Sequence, residues 1–140
     1  MKRIIRRALR RLLGIRQTEN LFVYVVNDRQ FHADPTEIDM RFRMHGGMKW
    51  RCLVREIVRT HAILAARDGH GLTESDREEA VALRDEAMRH LARLIRCVFR
   101  LPPVNPETGL GVTVAQAVGL AISYSRFIDQ EHARLMRGKA

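Results

Sequence analysis

The stretch that most constrains the fold runs from Phe99 to Val114 and reads FRLPPVNPETGLGVTV. No helix continues through Leu101-Pro102-Pro103, because proline lacks an N–H donor and turns the residue before it away from helical angles. Asn105-Pro106-Glu107-Thr108-Gly109 reads as a turn. Asn opens the bend, Pro presets φ, and Gly takes a position with φ > 0. Thr113 then offers a side chain to cap a new helix. One helix must stop here and another must start, so the chain is expected to be a small helical domain organised about this bend. Asn105, Glu107 and the glycines are all accounted for by the turn, and none is given a catalytic role.

The flanking segments carry helical periodicity. Over 74–99, Ala80, Leu83, Ala87, Met88, Leu91, Leu94, Ile95 and Val98 form an inward stripe. Thr73 and Asp76 have capping-box spacing, and acids precede bases along the helix as its dipole favours. Arg89, Arg93, Arg96 and Arg100 read as a solvated cationic strip. The last helix, about 114–136, is apolar almost all round at its start, which is the mark of a buried helix or a partner interface. A third helix over 48–66 places Trp50, Leu53, Val54, Ile57, Val58, His61 and Ala65 on one stripe. His61 reads there as a buried or boundary histidine.

Leu21 to Val26 is rich in β-branched and aromatic residues and meets Asn27-Asp28, which predicts a strand, a turn and a short return strand within 21–33. Residues 37–44 are ambiguous. Ile38, Met40, Phe42 and Met44 alternate like a strand, but Asp34-Pro35 is a helix start. The cap favours a short helix, ended by Gly46-Gly47.

Net charge is +9, but it is concentrated at one end. Residues 1–16 carry seven basic residues (Lys2, Arg3, Arg6, Arg7, Arg10, Arg11 and Arg16) and no acid, whereas the other 124 carry 18 basic and 16 acidic residues. Ile4, Ile5, Ala8, Leu9, Leu12, Leu13 and Ile15 fall on one side of a helical projection. Residues 1–16 are therefore expected to form a basic amphipathic helix ahead of a single domain at 17–140. Two uses of it stay open. It binds an anionic membrane or nucleic acid through Lys2, Arg3, Arg6, Arg7, Arg10 and Arg11, or it docks on its own domain or a partner with the basic face in solvent.

Several chemistries lack their residues. There is no glycine-rich phosphate fingerprint, no metal-spaced Cys/His cluster and no nucleophile elbow. The Asp68-Gly69 pair does not continue as a calcium loop. The expectation is a non-enzymatic protein without cofactor, metal or small-molecule substrate. Cys52 and Cys97 fall in predicted helices, which suits a reducing compartment. No apolar run is long enough to span a bilayer.

Val98 to Thr113, with the helix that follows to Phe127, resembles the C-terminal half of small uncharacterised proteins from phage- or prophage-like gene clusters in planctomycete-like bacteria, which are similar to tail assembly chaperones. Ala33-Asp34-Pro35 after a strand and turn resembles their N-terminal half. Arg100 and Asn105 stand where those proteins usually have Gly and Asp. The resemblance implies a cytoplasmic or virion-associated helical protein that acts through protein–protein contacts, with a partner or with copies of itself. The contact surfaces expected are the strand edge near Phe22 and Tyr24 and the apolar face of the last helix at Val118, Ile122 and Tyr124.

Overall fold

The computed structural model describes residues 20–66 and 71–138. The basic segment 1–16, with Lys2, Arg3, Arg6, Arg7, Arg10 and Arg11, for which binding to an anionic surface is one expectation, lies outside the described residues, as does part of the 67–73 turn. The described chain is mainly helical. A hairpin of β1 (Phe22–Val26) and β2 (Arg29–Ala33) is followed by four helices: α1 (Pro35–Met44), α2 (Trp50–Ala65), α3 (Glu74–Phe99) and α4 (Val114–Arg137).

Local chemistry sets each boundary. The Asp34 carboxylate accepts from Thr36 N at 3.0 Å and Pro35 occupies the first turn, so the 37–44 ambiguity resolves as helix. Its buried positions, Ile38 and Phe42, are four apart, and the alternating Met44 is exposed. Both long helices open with reciprocal capping boxes: Thr73 with Asp76, and Thr113 with Gln116. Each box satisfies two backbone donors that a helix start leaves unpaired. At the other end of α3, Arg100 adopts left-handed angles and Leu101 N donates to Arg96 O at 2.8 Å.

The bend is tied off at several points. Asn105 Oδ1 accepts from Glu107 N, Asn105 N donates to Leu110 O, and Gly109 has φ +71. Gly111 sits at φ +119, and a Cβ there would lie 2.2 Å from the Pro103 carbonyl oxygen. The Arg96 guanidinium donates to Val112 O through Nε and Nη2 at 3.1 and 2.7 Å. Arg96 therefore clamps the turn to α3 and is not part of a free cationic strip.

Helix α3 packs on both α2 and α4. Leu91, Ala92, Ile95 and Val98 are its fully buried stripe. Leu83, expected on that stripe, is 60% exposed, because burial along α3 is confined to its second half. His61 and Ala65 are exposed too. Aromatic residues are few, but all eight join one network. Tyr124 is its hub, with the rings of Phe22, Trp50, Phe99, Phe42 and Phe127 between 5.1 and 6.3 Å away. Tyr24 and Phe31 extend it along the hairpin. Such pairs contribute roughly 0.5–1.5 kcal/mol each beyond area burial. The core thus has an aromatic centre where the hairpin and the four helices meet.

Candidate interaction surface

The hairpin turn is Asn27-Asp28, with φ of +50 and +63. Two successive residues in this region make the mirror-image turn whose twist matches a two-residue hairpin. The register is Val26 with Arg29, Tyr24 with Phe31 and Phe22 with Ala33, and between them Val25 with Gln30 and Val23 with His32. In such a hairpin the pair beside the turn exchanges both ladder hydrogen bonds, and bonded pairs alternate from there. The N–H and C=O groups of Val23 and Val25 consequently point away from β2, along the edge of β1 that has no neighbouring strand among the described residues.

That edge borders a groove of about 390 Å³, whose other wall is the α4 face carrying Gln116, Gly119, Leu120 and Ser123. Gly119 has no atom within 4 Å of where its Cβ would stand, so the wall is open there. Asn27 Nδ2 donates to Gly111 O at 3.2 Å and pins the turn end of the hairpin to the bend. Near the start of the strand, Asn20 Nδ2 donates to Glu131 Oε1 at 2.8 Å, and Arg134 bonds the other oxygen at 3.0 Å. Burial tends to raise the Glu131 pKa, but the Asn20 and Arg134 bonds outweigh it and hold the carboxyl below its ordinary value. Glu131 itself is covered by its neighbours.

The two edges of the hairpin differ. Strand β2 presents Arg29, Gln30 and His32 outward. Strand β1 reads FVYVV, with no charge, no proline and no bulge, and its outward Val23 and Val25 are 47% and 66% exposed. Natural edges are usually guarded by charge, proline or a bulge. The β1 edge has none of these.

The residues expected to make contacts separate into two groups. Phe22, Val118 and Tyr124 are core residues, at 5%, 5% and 0% exposure. Phe22 and Tyr124 are fixed by the aromatic network, and the Tyr124 hydroxyl is held by α1. Tyr24 and Ile122 are half-buried. The accessible strand residues are instead Leu21, Val23 and Val25. The period-2 pattern carried this signal, with both aromatics on one face and both valines on the other, but it does not say which face is inward.

Among the described residues no three His, Cys, Asp or Glu side chains are grouped to hold a metal, and no helix is long and apolar enough to cross a membrane. Cys52 and Cys97 are both free and exposed. No protein-family model, curated protein or solved structure matches the chain.

Proposed function

We propose that this protein is a non-enzymatic assembly factor that holds a partner protein through the free edge of β1, in the style of a phage or prophage tail assembly chaperone. The carrying observation is the unguarded β1 edge, with two N–H and two C=O groups facing a groove against α4. An extended segment of about five residues, roughly 17 Å long, would add as a third strand. Main-chain hydrogen bonds supply affinity in that mode, and the exposed Val23 and Val25 side chains supply a cross-strand apolar surface. The tail-assembly setting rests on the sequence resemblance at 98–127.

Affinity-tagged protein, expressed beside candidate tail tube and tape-measure proteins, should retain one of them. Retention should fall when Val25 is replaced by proline, which removes an outward N–H while a free edge tolerates the ring. Recovery of the protein alone under these conditions counts against the reading.

A second reading is favoured by the charge of residues 1–16 alone: a peripheral module on anionic lipid or nucleic acid. Vesicles containing phosphatidylserine and duplex DNA, tested with the full chain and with residues 1–16 removed, decide it. Nucleic-acid binding should fall steeply with salt. Unchanged binding after removal ends this reading.

A further inference from the structure

A second groove lies between α2 and α4, away from the hairpin edge, and α3 closes its larger end through Arg84, Asp85 and Met88. It holds two pockets, of about 290 and 410 Å³, that adjoin at Val58 and Ile122, which line both. The floor is aliphatic: Val54, Ile57, Val118 and Met88. Val58, at 44% exposure, opens it to solvent.

The rim has one sign of uncompensated charge. Arg55 and Arg59, one turn apart on α2, face Arg126 on α4 across the groove. None of the three has an ion-pair partner among the described residues. Of the acids nearby, Asp85 pairs with Arg84 at 3.2 Å and Asp129 with Arg51, and Glu56 lines neither pocket. An apolar floor between cationic rims is complementary to a helix with an aliphatic stripe and acids on both flanks.

We propose that the α2–α4 groove is the docking site for an amphipathic helix of a partner protein bearing acidic flanks. The chain itself does not supply that helix. Residues 1–16 bring seven basic side chains and no acid to a basic rim. A second copy offers the acidic first half of α3, where Glu79 and Glu86 flank Leu83, but Leu83 is the one exposed large apolar side chain there and makes no stripe for the floor. The site stands independently of the β1 edge, so it extends the assembly reading without resting on it.

The test uses the full chain and a fluorescein-labelled designed peptide of about 18 residues, roughly 27 Å as a helix. Leucines occupy its i, i+3, i+4, i+7 stripe and glutamates its flanks. One control scrambles the order, and another replaces every Glu by Lys. Anisotropy should show binding of the acidic helix, with the scrambled and Lys peptides at least about tenfold weaker. Raising salt from about 50 to about 300 mM should weaken it. Val58→Asp should reduce binding by about tenfold or more, and the triple change Arg55→Glu, Arg59→Glu, Arg126→Glu should reverse the preference towards the Lys peptide. Both variants alter solvent-facing positions, and their helical circular dichroism should be that of the parent. Val25→Pro should leave peptide binding intact, which separates this site from the strand edge. Absence of binding, equal binding of the three peptides, or indifference to Val58→Asp and the triple change overturns the proposal. So does a concentration-dependent dimer, seen by sedimentation, that Val58→Asp dissolves.

Discussion

The Tyr124 hydroxyl donates to Asp39 Oδ1 at 3.2 Å, joining the last helix to the first, with the Pro35 carbonyl oxygen 3.4 Å away. Burial, above all, pushes the Asp39 carboxyl above its ordinary value, against the lowering effects of the Tyr124 bond and of Arg43 and Arg51. Burial and the neighbouring Asp39 charge also raise the Tyr124 pKa, so the phenol stays a donor.

The raised Asp39 pKa has a definite sign in stability. As pH falls, the folded chain takes up this proton before the unfolded chain does, whose value is about 3.9. Wild type therefore gains stability from this group as pH falls through the folded pKa, and carries a cost at neutral pH. Asp39→Asn keeps an oxygen acceptor and removes the titration. It should be at least as stable as wild type at pH 7, with its advantage shrinking as pH approaches about 4. Glu131 works oppositely, losing its contribution as pH falls through its lowered pKa, but it is common to both proteins and cancels. Urea unfolding of the pair across this range checks the sign. An advantage that grows in acid contradicts it.

Tyr124→Phe removes the donor and keeps the ring in its aromatic setting. The expected cost is about 1–3 kcal/mol, the price of leaving a largely buried polar group unpaired. A double-mutant cycle with Asp39→Asn should show coupling of at least about 0.5 kcal/mol, since the two groups touch.

Two glycines should respond oppositely to alanine. Gly111→Ala places Cβ 2.2 Å from the Pro103 carbonyl oxygen at φ +119. It should destabilise by several kcal/mol, roughly the range of the largest single-residue effects. Gly119 lies in α4 with open space at its Cβ position. Gly119→Ala should stabilise by about 0.5–1 kcal/mol through helix propensity. Thermal melts of both variants distinguish a steric demand from a merely permitted glycine.

Thr113→Ala should cost about 1 kcal/mol by opening the capping box at the start of α4. Equal melting of the variant and wild type would mean that backbone contacts in the bend alone hold this end.

Most of the architecture was legible in the sequence because each boundary has local chemistry. Thr73, Thr113, Asp34-Pro35, the double proline and Asn27-Asp28 all act within a few residues of themselves. What was not legible depends on packing between elements. Helix α4 is apolar around much of its circumference, so the sequence could not separate buried Val118 and Tyr124 from half-buried Ile122. The β1 alternation defined two faces but not which one meets the core. Arg96 looked like part of a solvated strip because its partner, the Val112 carbonyl, comes within reach only when the bend closes. The open edge itself was legible as a strand edge near Phe22–Val26, while its Val23 and Val25 occupants needed the hairpin docked.

The central claim, that the β1 edge receives a partner strand, is tested most directly by co-purification of wild type, Val25→Pro and Gly119→Leu with a tail tube or tape-measure protein. Val25→Pro removes an outward N–H, and Gly119→Leu adds bulk to the facing wall of the groove at a position where a Cβ meets nothing within 4 Å. The expected result is capture by wild type and at least about tenfold weaker capture by each variant, with the melting profile of a folded protein retained. Capture that is unchanged in both variants, or no capture by wild type, would contradict the account.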